Sequence, residues 1–322
     1  MDVIKKERIS ILAMIGFFVL TLLMGTFVDQ ALSNAVISPH NGLAALITAL
    51  GIYPFFTAVV LFSGVAAERI LHSNMSQVPK IALVAVFALL AAVIGFIGIN
   101  KITAADNLGI IFPSIVKNYL AIVPMFLILE VPFFFAGFAL AGKSRDTELL
   151  KRAIFMIVLL FVCYIALRAT KGIFNRPRPR LVAMGLEGIN FVPWYTISPD
   201  PSALVAQYNL DPDEFVSFPS GHAVLAASTI YVVLSLTWLF PNLRDKRMYI
   251  SIGSFVFCLI VLFSRIVLGA HYLSDVSAGA IIGLLFALVF SFVDSSIGGP
   301  NASATGPSRN SGARVASVKL KR

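Results

Sequence analysis

Three short stretches of the 322-residue sequence hold the side chains best suited to chemistry. The first is Lys171-Gly-Ile-Phe-Asn-Arg-Pro-Arg178-Pro179. An ammonium and a planar guanidinium at this spacing can grip a phosphate as point charge and as fork. Pro177 and Pro179 forbid a continuing helix, so the chain must turn extended. The second is Phe218-Pro219-Ser220-Gly221-His222. Ser220 suits a helix cap, and the free N–H groups after it form an anion site at the positive end of the helix dipole. Gly221 lets a ligand approach the backbone, with His222 beside it as a candidate proton donor. The third is Ser264-Arg265-Ile-Val-Leu-Gly269-Ala-His271-Tyr-Leu-Ser-Asp275. On a helix, an i,i+4 spacing puts His271 and Asp275 on one face. The carboxylate would then fix the imidazole tautomer and leave the other ring nitrogen free to attack. Arg265 reaches that face only if the helix breaks, and Gly269 offers the break.

Each stretch alone also fits a plainer role. The first can be a basic flank that binds headgroups, the second an ordinary cap, the third a polar loop with a local His–Asp bond. The elements that carry them decide between the readings. The chain is 58% hydrophobic and only 13% charged, against about 25% charged in soluble domains. Apolar runs near residues 9–28, 47–66, 81–99, 118–141, 152–170, 222–240, 249–267 and 276–294 are each long enough to cross a bilayer as a helix. The expected fold is therefore all-α, a polytopic bundle of about eight spans, with the first run retained as a helix. The three stretches follow span five, precede span six and follow span seven. An odd span's exit and an even span's entrance lie on one side, so all three converge there.

The net charge of +9 is explained by membrane orientation and implies no nucleic-acid partner. Seventeen of the 25 Lys and Arg residues fall on the side of Lys5, Lys6, Arg8, Arg244 and the C-terminal tail. Both termini are expected in the cytoplasm and the three stretches on the outer face, in a bacterial cytoplasmic membrane. Cys163 and Cys258 lie inside apolar runs and suggest neither a disulfide framework nor a thiolate metal site.

Together, Lys171-x6-Arg178-Pro179, Pro219-Ser220-Gly221-His222 and Ser264-Arg265-x5-His271-x3-Asp275 resemble the three-part signature of the PAP2 phosphatase superfamily. The resemblance implies a six-helix core over spans three to eight. Residues 81–297 would be the catalytic membrane domain, 1–80 two additional helices without an assigned role, and 298–322 a disordered cytoplasmic tail. It implies His271 as nucleophile, Asp275 as its orienter and His222 as the acid for the leaving oxygen. Lys171, Arg178, Arg265, Ser220 and the Gly221 backbone would bind the phosphoryl oxygens, with no cofactor and no metal.

The implied activity is hydrolysis of a lipid phosphate or pyrophosphate through a phosphohistidine. Candidate substrates are undecaprenyl pyrophosphate, phosphatidylglycerophosphate and phosphatidic acid. The rivals are a phosphotransferase that passes the group to a second lipid, and a non-catalytic lipid-binding or transport protein. Outside the signature, Arg176 and Arg180 are expected to be solvated, and Phe191, Trp194 and Tyr195 to anchor at the interface. Glu130 stands mid-way along the fourth span without an evident partner, and Asn301-Ala-Ser303 is a glycosylation sequon on the expected cytoplasmic side.

Overall fold

The computed structural model describes residues 3–297; the tail and the sequon at Asn301 lie outside the described residues. The described part is all-α, with no strand. Its helices are α1 (Val3–Val36), α2 (Gly42–Leu71), α3 (Gln77–Ile102), α4 (Tyr119–Leu129), α5 (Val131–Lys143) and α6 (Leu149–Thr170). Then follow α7 (Pro179–Val182), α8 (Ser202–Tyr208), α9 (Gly221–Ser235), α10 (Arg247–Val267) and α11 (Leu273–Ser296). Eight spans among these are long and apolar enough to cross a membrane, with α4 and α5 together making the fourth. The chain is an integral membrane protein of eight apolar spans.

The fourth span differs from one continuous helix. It breaks at Glu130, which caps α4 and opens α5, with Pro132 in the first turn of the second half. Proline is tolerated there because the first N–H groups of a helix have no partner to lose. The Glu130 carboxyl is fully buried and accepts from Thr57 Oγ1 at 3.1 Å, so its partner comes from α2.

The first two helices are built into the same bundle as the rest. α2 packs against α3, α5, α6, α9 and α10, and its apolar window is 72% buried, against 17% for α3. α1 lies along α11 and α10. One end of the bundle is tied by Arg247, which donates to Glu7 of α1 (Nε to Oε2, 2.7 Å) and pairs with Asp294 of α11 (2.9 Å). Trp238 Nε1 also donates to Asp294 at 2.7 Å. The ends of α6 and α10 and the starts of α9 and α11 meet at the opposite end.

Candidate active site

All three stretches converge at that opposite end. α6 stops at Thr170, and the segment after it is bonded to the stretch before α9, which includes the 3-10 turn Pro212–Phe215. Arg178 N donates to Glu214 O at 2.8 Å and Ser217 N to Arg176 O at 3.0 Å. Ser220 caps α9, its Oγ accepting from Ala223 N at 3.3 Å, while its own N–H donates to Asp275 O at 3.0 Å. The start of α9 can come this close to α11 because Gly279 has no side chain. A Cβ there would stand 2.3 Å from Ser220 O. The Lys171 side chain crosses the same helix start, its Cε 3.5 Å from where a Gly221 Cβ would sit.

α10 ends at Val267, and Gly269 turns the chain with φ +62, a left-handed conformation that favours glycine. That turn brings His271 back beside the other two stretches. His271 lies outside any helix, and Asp275 is in the first turn of α11. They therefore do not share a helical face. The direct carboxylate–imidazole bond expected from their spacing is replaced by another. His271 Nδ1 is 2.7 Å from Ser217 O, with the nearest Asp275 oxygen at 3.8 Å. Asp275 acts on the residues around the ring, accepting from Ser217 Oγ at 2.6 Å and from Tyr272 N at 2.8 Å.

A carbonyl oxygen only accepts, so Nδ1 carries the proton and Nε2 keeps its lone pair. Burial, then the nearby Arg265, Arg178 and Lys171, hold the His271 pKa well below its usual range, which keeps the ring neutral. Burial and the neighbouring Arg178 also bring Lys171 down to about 8. The arrangement is a neutral imidazole facing a group of cations beside a capped helix start. Among the described residues no group of three or more His, Cys, Asp or Glu side chains stands placed to hold a metal.

The PAP2 superfamily model matches residues 150–295. This part of the chain is a PAP2 domain. Phosphatidylglycerophosphatase B of Haemophilus influenzae is similar to the chain, 32% identical over 94 residues. That match covers 29% of this chain and 38% of the relative. No solved structure matches the chain.

Within the PAP2 domain, the interleaved arginines differ from expectation. Arg176 is fully buried and is the hub that holds α11 in place. Its guanidinium donates to Asp275, to Ser274 Oγ at 2.8 Å, to Asp29 Oδ2 at 2.9 Å and to Val192 O at 2.8 Å. Burial works against its charge, yet Asp275 and Asp29 raise its pKa above the usual value. The side chain also stacks over Tyr272 at 4.3 Å. A guanidinium with five fixed donors can satisfy two carboxylates and a carbonyl at once, which an exposed role would not require. Arg180 likewise pairs with Glu214, and its N–H donates to Gly269 O at 2.9 Å, fixing the turn before His271.

The aromatic residues are packing pieces as well. Phe191 meets Tyr272 edge-on at 5.3 Å, and Trp194 stacks on Phe218 at 5.9 Å and donates to Thr26 Oγ1 of α1 at 3.0 Å. Tyr195 remains exposed.

Three residues outside the PAP2 domain touch the site and went unnoticed in the sequence. Asp29, on α1, holds Arg176 and accepts from Ser274 N at 2.9 Å. Asp106 and Asn107 lie in the loop between α3 and α4. Arg265 Nη2 donates to Asp106 Oδ2 at 3.0 Å, Arg178 Nη1 stands 3.5 Å from the same oxygen, and Asn107 Oδ1 is 3.1 Å from His222 Nε2. The available signals were an acidic residue at the end of the first apolar run for Asp29 and an Asp-Asn pair in the connection between the third and fourth spans. Neither points to these partners without the fold.

Proposed function

We propose that the protein is a lipid phosphatase acting at the non-cytoplasmic membrane face. It would transfer the terminal phosphoryl group of a lipid phosphate or diphosphate first to His271 and then to water. The observation that carries this reading is the hydrogen bond from His271 Nδ1 to Ser217 O, which leaves Nε2 unprotonated on a ring that Arg265, Arg178 and Lys171 stand close enough to influence. The name of the Haemophilus relative supports a glycerophospholipid phosphate as one substrate class. Eight apolar spans suit a substrate whose chains stay in the bilayer.

In the proposed reaction, Nε2 of His271 attacks phosphorus as the bond to the leaving oxygen breaks. His222 gives its Nε2 proton to that oxygen. Lys171, Arg178, Arg265 and the N–H groups at the Ser220–Gly221 helix start hold the three non-bridging oxygens, where charge accumulates. Water then attacks phosphorus, its proton passes to His222 and the P–N bond breaks, releasing phosphate. Asp275 serves as a positioning residue through Ser217 and Arg176.

Phosphate release from a lipid phosphate in detergent micelles tests the reading. His271→Ala should remove turnover while the thermal unfolding of the purified protein stays near that of wild type. His222→Ala should lose more rate on alkyl than on aryl phosphates, because only the poor leaving group needs the proton. Phosphate release that persists in His271→Ala would end the phosphohistidine route.

A further inference from the structure

The Asp106–Asn107 pair lies against Arg265, Arg178 and His222. Arg265 grips it twice, through Nη2 to Asp106 Oδ2 at 3.0 Å and through Nη1 to the Asp106 carbonyl at 3.2 Å. Arg178 Nη1 approaches the same carboxylate at 3.5 Å. Asn107 Nδ2 donates to Lys101 O at 2.6 Å, which turns its amide oxygen toward His222 Nε2 at 3.1 Å. One carboxylate oxygen and one carbonyl oxygen of Asp106 thus meet two nitrogens of a single guanidinium, as two oxygens of a phosphate can. The amide oxygen accepts from the very nitrogen that would protonate a leaving group. Arg265 is fully buried, and its Nε has no partner among the described residues, so the guanidinium keeps one donor that the loop does not use.

We propose that this loop is a built-in pseudosubstrate that filters ligands by charge: Asp106 takes the phosphoryl seat and Asn107 the leaving-oxygen seat until a dianionic phosphate displaces them. The proposal rests on the phosphatase reading of the same site.

A purely structural role for Asp106 fits less well. The carboxylates that fix the buried Arg176, Asp29 and Asp275, have side chains 1% and 0% exposed, whereas that of Asp106 is 27% exposed. Asp106 also stands outside any helix, just before a 3-10 turn, Leu108–Ile110. Ile110 anchors that turn against Leu268 and Ala270. The physical consequence is selectivity. Most bilayer lipids are phosphodiesters with one negative charge at most, equal to that of Asp106. The tethered carboxylate has the advantage of high effective concentration over such a ligand. A terminal phosphate brings a second charge and three non-bridging oxygens to the same cations, and so can win the seat.

Calorimetric titration of inorganic phosphate into the detergent-solubilised full chain tests the proposal without turnover. If the loop fills the seat about nine-tenths of the time, Asp106→Asn binds phosphate roughly tenfold more tightly than wild type. Unchanged or weaker binding overturns the proposal, since Asp106 would then orient the arginines for phosphate; so does an absence of binding to both proteins. In mixed micelles, phosphatidylglycerol should inhibit Asp106→Asn but not wild type, and equal inhibition of both removes the filter.

A second measurement does not depend on that variant folding. A spin label at Ala105→Cys, an exposed position, should gain mobility on saturation with phosphate, and an unchanged spectrum overturns displacement. If instead wild type releases no phosphate from any lipid while these binding results hold, the phosphatase reading fails and the pseudosubstrate contact stands.

Discussion

Lys171 shows how a single side chain sets the working range of the site. Burial and Arg178 lower its pKa to about 8, so in the empty site the ammonium is lost as pH rises through that value. A neutral amine offers no charge to an incoming phosphate. kcat/KM, which reports the free enzyme, should therefore fall above pH 8 by roughly tenfold per unit. The kcat limb should lie higher, because bound phosphate favours the ammonium. Lys171→Arg keeps the cation at all these values. It should move the kcat/KM limb up out of the measured range, and a limb that stays near 8 would trace to another group. His271 has the opposite sign of requirement: it must be neutral, and its lowered pKa leaves it so across the same range. At this scale the convergence of the candidate residues was legible, since Lys171, Arg178, Ser220, Gly221, His222, Arg265, His271 and Asp275 are all brought together, while the role of each belongs to the proposal. The bond that orients His271 was not legible. Its partner is the backbone carbonyl of Ser217, and every residue carries a carbonyl.

At the scale of elements, the site depends on how closely α9 and α11 approach. Gly279 permits the contact, with Ser220 O 2.3 Å from where a Cβ would be. Gly279→Ala should push the helices apart, cost about 1–3 kcal/mol as an overpacked contact, and lower phosphate release even where the protein stays folded. Gly253→Ala, on α10 with nothing within 4 Å of the new Cβ, should change stability by less than ~1 kcal/mol. Thermal melts and phosphate release on the two variants check this, and equal effects would remove the contact as the cause. The buried Arg176 joins three elements through Asp29, Asp275 and Val192. Its exposure was misread from sequence because a basic cluster near a membrane is usually solvated. Only the arrival of two carboxylates from α1 and α11 makes burial of the charge tolerable.

Across the whole molecule, the charged tie of Glu7, Arg247 and Asp294 marks one end and the candidate site around Arg265 and His271 the other. With the basic loops on the first end, that end is expected in the cytoplasm. Both native cysteines are buried, so single cysteines placed on exposed residues report sidedness with little background. In intact cells, a membrane-impermeant maleimide should label Tyr195→Cys, beside the site. It should reach Lys151→Cys, in the first turn of α6 on the other side, only after permeabilisation. The reverse pattern would place the chemistry on the cytoplasmic face.

Composition and run length alone determined an all-α membrane bundle of eight spans, because a bilayer permits few other ways to satisfy so apolar a backbone. Motif spacing and span parity together determined which residues meet, since chain direction through the membrane fixes the side on which each loop emerges. Tertiary structure alone decided what lies between those residues and their partners. The Ser217 carbonyl on His271, Asp29 beneath Arg176, and Asp106 against Arg265 are contacts across 54, 147 and 159 positions of sequence. Hydrogen bonds and ion pairs act only over a few ångströms, so such partners have no signature in the chain until its helices are packed.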